Sequence, residues 1–100
     1  MSTAIEHSVE TVHQTVEEPL FRVVMINDDY TPMDFVIGVL MEVFSLSEAA
    51  AEKITMQIHH EGRGVCGVFQ REIAEAKVFK VEAIATGNGH PLLCIMEKDE

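Results

Sequence analysis

The sequence predicts an α+β domain of β-α-α-β-α-β order, with a small, mostly antiparallel three-stranded sheet packed against three helices. Three observations predict it. Three short β-branched or apolar runs are interleaved with three stretches of helical periodicity. Three short strands cannot close a barrel, so helices laid over one face are the economical way to bury such a sheet. One hundred residues, 47% of them apolar, supply one core and leave no room for a second.

The elements follow in order. Residues 1–19 carry Glu6, Glu10, Glu17 and Glu18 and neither Lys nor Arg. Ile5, Val9, Val12 and Val16 recur at helical spacing, but three of the four are valines and so short an isolated helix is marginal in water. This stretch is read as a flexible acidic extension, and residues 20–100 as the domain. Leu20 to Ile26 (LFRVVMI), bounded by Pro19 and Asn27-Asp28-Asp29, reads as a strand. Thr31 as N-cap, Pro32 at the first helical position and Asp34 in the first turn signal a helix. Met33, Val36, Ile37, Leu40, Met41 and Phe44 form its apolar stripe, and Phe35, Val39 and Val43 a second face. Gly38 inside it reads as a place of close packing. Ser47 caps a second helix with Ala50, Ala51, Ile54, Thr55 and Ile58 inward, ended by Gly62. Gly64 to Phe69 is a strand. Arg71 to about Thr86 is a third helix with Ile73, Ala74, Val78, Val81 and Ile84 periodic, stopped by Gly87-Asn88-Gly89. Pro91 to Met96 (PLLCIM) is the last strand.

Charge narrows the function. Seven basic against seventeen acidic side chains leave −10. Nucleic acid and anionic membrane surfaces are bound mainly through Lys and Arg, so neither is expected as a partner. A basic protein face or an ammonium group suits the field better. Two cysteines are too few for a disulfide framework, and no apolar run approaches a membrane span. The expectation is a cytoplasmic, non-enzymatic, monomeric domain without a cofactor.

An enzyme would need a nucleophile, and Cys66 with His59 is the conceivable pair. Cys66 lies in an apolar strand, however, and Cys94 lies in Leu92-Leu93-Cys94-Ile95. Both read as small core residues. His59 and His60 are adjacent on a helix, point about 100° apart and cannot share one ion. No metal site is expected. The loop Asn27-Asp28-Asp29-Tyr30-Thr31 reads by itself as a turn and helix entry. Met33 and Val36 would place apolar surface beside it, and Thr55 and His59 face one way at i, i+4. Such a hollow would suit a group with an apolar body and a positive head.

Asn27 to Val36 (NDDYTPMDFV) resembles the signature of the ClpS adaptor family. So do Cys66-Gly67-Val68-Phe69, Glu72 to Lys77 (EIAEAK) and His90 to Cys94 (HPLLC), which fall in family order over roughly residues 20–98. The resemblance implies the fold of the C-terminal domain of the bacterial ribosomal stalk protein. It also implies an adaptor that binds proteins beginning with Phe, Tyr, Trp or Leu and delivers them to an AAA+ Clp unfoldase, ClpA-type or ClpC-type. Carried over by position, Asn27, Asp28 and His59 would hold the substrate's α-amino group. Thr31, Met33, Val36, Thr55, Ile58 and Leu92 would line the side-chain pocket, with Met33 as a gate against β-branched N-terminal residues. Glu72 and Lys77 would contact the unfoldase. His59 would have to be neutral at its accepting nitrogen, so acid should weaken binding.

Two positions depart from the family pattern. Thr55 stands where many members carry Met on the pocket wall, and Ala76 lies within the docking block. Thr is shorter and stiffer than Met and brings a hydroxyl that needs a partner, so the pocket should favour aromatic over Leu N-termini. Thr55 also makes a second reading thinkable: a divergent paralogue that docks on the unfoldase without binding such substrates.

Overall fold

A computed structural model describes residues 18–100, so residues 1–17 of the expected extension lie outside it. The elements are β1 (Leu20–Ile26), α1 (Met33–Phe44), α2 (Glu48–Glu61), β2 (Arg63–Gln70), α3 (Arg71–Gly87) and β3 (Leu93–Lys98). The order is the predicted one. β1 lies at the centre of a β2-β1-β3 sheet, and both pairings are antiparallel.

Alternation along β1 places its odd residues toward the helices, where Val23 and Met25 join the core and Phe21 packs at its edge. The even residues face away. Val24 is one of these, yet it has no exposure. Val65 and Ile95 flank it in the register, and a charged pair passes over it. Arg63 stands opposite Ile26 in the register and Glu97 opposite Arg22. The 2.6 Å bond from Arg63 to Glu97 therefore crosses the sheet beside Val24. Arg22 donates to Glu97 at 3.3 Å and to Asp99 at 3.0 Å. The paired heads cross this face over Val24, while Val65, Val68 and Leu93 on the same face stay exposed.

Ser47 caps α2 as predicted, its hydroxyl accepting from the Ala50 N–H at 3.2 Å. Gly62 ends that helix with a left-handed φ of 91°, a conformation only glycine adopts without steric cost. Several expectations are corrected. Thr31 does not cap α1. Pro32 occupies the N-cap position, and its carbonyl accepts the first helical bond from Val36 at 3.2 Å, because the Thr31 hydroxyl is bound to Asp28. The buried line of α1 is Val36, Val39, Leu40 and Val43, while Met33 and Met41 lie at its margins. Gly38 is exposed, and a Cβ there would meet nothing within 4 Å, so it serves no close packing. On α3 the buried residues are Ala74, Val81 and Ala85; Ile73 is exposed. β3 begins two residues later than predicted, leaving Pro91 and Leu92 in the approach to it.

Candidate functional site

The last residue of β1, the loop into α1, the C-terminal part of α2 and the approach to β3 converge on one hollow of about 200 Å³. Backbone geometry holds it together. The Asn27 N–H donates to the Gly62 carbonyl at 2.9 Å, and the Gly62 N–H donates back to Ile58 at 2.9 Å. These bonds fasten the loop after β1 to the end of α2 and bring Asn27 into the hollow that His59 lines. Gly64 completes the junction, because a Cβ there would lie 2.7 Å from Ile58 Cγ1. Only a glycine lets Ile58 sit where it does.

Asp28 organises the rim. Its carboxylate accepts from the backbone N–H of Tyr30 at 2.8 Å and of Thr31 at 2.7 Å, and from the Thr31 hydroxyl at 2.8 Å. Partial burial works to raise its pKa. Those hydrogen bonds and the nearby His90 outweigh the burial and hold the carboxyl below its ordinary value. Three of about four lone-pair directions are used, which leaves room on Oδ2 for one further donor. His90 is braced edge-on against Phe35, ring centroids 4.5 Å apart.

All nine residues expected at the site line this one hollow: Asn27, Asp28, Thr31, Met33, Val36, Thr55, Ile58, His59 and Leu92. Val36, Thr55, Ile58 and Leu92 are buried, Met33 is about two-fifths exposed at 39%, and Asn27 and His59 are exposed. The Thr55 hydroxyl donates to the Ala51 carbonyl at 2.8 Å, so its polar group is spent inside the helix. Sequence reasoning missed Ile26 and Asp29 as lining residues. Their adjacency to Asn27 and Asp28 was the only available signal.

Glu72 and Lys77 lie elsewhere, on α3. Glu72 is exposed in its first turn. Lys77 is half-buried, and its Nζ donates to the Val43 carbonyl at 2.8 Å between the rings of Phe44 and Phe69, 5.8 and 5.6 Å away. The buried thiols of Cys66 and Cys94 are both pushed up to about 12, chiefly by desolvation. Neither is a thiolate at neutral pH, so the Cys66–His59 pair does not supply an activated nucleophile. Among the described residues no three His, Cys, Asp or Glu side chains are arranged to hold a metal ion, and no helix is long and apolar enough to cross a membrane.

The family model described as "ATP-dependent Clp protease adaptor protein ClpS" matches residues 16–95. The chain belongs to the ClpS family. It is 47% identical over 95 residues to the ATP-dependent Clp protease adapter protein ClpS of Shewanella piezotolerans, covering 94% of this chain and 93% of that one. Among solved structures it is similar to Agrobacterium tumefaciens ClpS2 bound to L-phenylalaninamide, with a TM-score of 0.81 and 36% identity. That match covers 83% of this chain and all of the other. A ClpS protein is an adaptor of the Clp protease, and the recognition made from the four sequence blocks stands.

Proposed function

We propose that the hollow binds the first residue of proteins that begin with Phe, Tyr, Trp or Leu, and that the chain delivers them to an AAA+ Clp unfoldase. The observation that carries this reading is the two-part character of one small cavity. Apolar walls from Met33, Val36, Ile58 and Leu92 meet a rim of Asn27, Asp28 and His59. A cavity of about 150 Å³ is enough for benzene, so an open hollow of about 200 Å³ admits an aromatic side chain. The ligand of the A. tumefaciens relative, L-phenylalaninamide, joins such a ring to a free α-amino group.

In this reading the Asn27 side-chain oxygen, Asp28 Oδ2 and a ring nitrogen of His59 accept from the substrate's ammonium. An α-amino group of pKa about 8 is charged at neutral pH and needs such acceptors. Met33 at the mouth collides with branched Cβ substituents and excludes Val and Ile. Thr55 shortens one wall without adding an unsatisfied polar group. A broad ring still reaches the other walls, whereas Leu leaves a gap, so Phe is favoured over Leu by about 1–3 kcal/mol.

Fluorescence anisotropy with labelled peptides beginning with Phe, Leu, Gly or N-acetyl-Phe tests the reading. Phe binds; Gly and acetyl-Phe do not. Loss of the Phe preference in Thr55→Met would assign it to Thr55. If no peptide binds to folded protein, the site reading is wrong and the chain is the paralogue that docks without such cargo.

A further inference from the structure

An adaptor needs a second surface, apart from its cargo hollow, by which it holds the protease. Among the described residues two aromatic side chains are largely exposed: Tyr30, in the loop at the hollow, and Phe79, on α3. Phe79 is 74% exposed and is no part of the core. Packing of Ala74, Val81 and Ala85 against the core holds Phe79 on the opposite, solvent side of α3, where its ring forgoes the burial an apolar group gains in a core.

Its surroundings define what would cover it. At 100° per residue, the positions within about 60° of Phe79 on α3 are Glu72, Glu75, Ala76, Glu82, Ala83 and Thr86. All six are exposed. The two alanines leave the ring standing clear. The three carboxylates surround it, and no cation falls within that arc; Arg71 and Lys80 flank it at about 80° and 100°, and Lys77 lies on the far side of the helix, bound to Val43. Two copies of this face would bring carboxylates against carboxylates on chains that each carry −10, which disfavours self-association. A partner with an apolar pocket rimmed by Lys or Arg is complementary in both shape and charge.

We infer that Phe79 is the anchor of the protease-docking face, inserted into an apolar pocket of the Clp unfoldase that is ringed by basic residues. This rests on the reading that the chain delivers cargo to that unfoldase. It adds to Glu72 an aromatic contact that the family resemblance did not supply. The acidic ring sets orientation, and the phenyl group supplies most of the affinity.

The test compares the full chain with Phe79→Ser and with the double variant Glu75→Lys/Glu82→Lys. Binding to ClpA-type and ClpC-type unfoldase hexamers is measured in parallel with binding of a Phe-peptide and with thermal unfolding. Phe79→Ser is expected to weaken unfoldase binding at least about tenfold, with peptide affinity and melting temperature unchanged. The double variant is expected to weaken it with a flatter salt dependence. Unaltered unfoldase binding by Phe79→Ser overturns the inference alone. If the unsubstituted chain binds neither unfoldase, the delivery reading fails and the inference falls with it. A dimer in sedimentation that Phe79→Ser converts to monomer overturns the inference in favour of a second copy.

Discussion

The Asp28 carboxylate collects three donors from the two residues that follow the loop's tip, and this sets the residue-scale behaviour of the site. Asn in its place keeps the shape but offers one acceptor oxygen and no charge. Asp28→Asn should therefore lower both Phe-peptide affinity and stability at neutral pH. The pH dependence has a definite sign. A folded-state pKa held below the ordinary value means that Asp28 stabilises the fold above the usual carboxylate range and stops doing so as pH falls through the folded value. The melting-temperature gap between wild type and Asp28→Asn should thus close on acidification. A gap constant from pH 7 to pH 2 would show that Asp28 contributes no linked stability. Gly64 offers a second single-residue test. Its missing Cβ leaves Ile58 in place, and Gly64→Ala forces Cγ1 of Ile58 away from a 2.7 Å clash. Such overpacking costs about 1–3 kcal/mol. Ile58 can move only by deforming the hollow's wall, so Phe-peptide affinity should drop by about tenfold or more in protein that still folds.

At the scale of elements, helix α1 carries one removable weakness and one long-range support. Gly38 has no neighbour where a Cβ would stand, so Gly38→Ala should stabilise by about 0.5–1 kcal/mol and raise the melting temperature by several degrees. Calorimetry showing no rise would mean that the helix uses glycine's freedom in a way its packing does not reveal. At the other end, α1 stops at Ser45 in a left-handed conformation, and Lys77 donates to the Val43 carbonyl across 34 residues of sequence. Lys77→Met keeps the stem and removes the charged donor, which should cost about 1–2 kcal/mol. These two features explain what the sequence could and could not disclose. Local signals were legible: Ser47 and Gly62 bound α2 because cap chemistry acts within four residues. Thr31 misled, because a hydroxyl that could cap was claimed by Asp28, a competition that no pattern of helix-start residues encodes. Lys77 was legible only as a matching position in a family block; its partner lies on another helix. The site's membership likewise came from resemblance, since residues from Asn27 to Leu92 are brought together only by the tertiary fold, and by itself the Asn27–Thr31 loop read as a turn.

For the whole molecule, the hollow proposed to take the substrate's first residue belongs to a chain of −10 net charge. The rim carboxylates Asp28 and Asp29 lie in the hollow's lining, and the field they share with the rest of the surface extends over roughly 10 Å at 0.1 M salt. A peptide whose first residue enters the hollow has its following residues within that distance, so its charge beyond position one should govern how often encounters occur. Contacts inside the hollow, by contrast, are short-ranged and little screened. Encounter and residence therefore respond differently to salt. Stopped-flow binding should show Phe-peptides with Lys or Arg after the first residue associating faster than acidic ones at low salt. The difference should shrink steeply as salt rises, while dissociation rates stay nearly level. If added salt instead changes mainly the dissociation rate, the charged groups make close contact with the bound peptide. The second and third residues would then belong to the binding site itself.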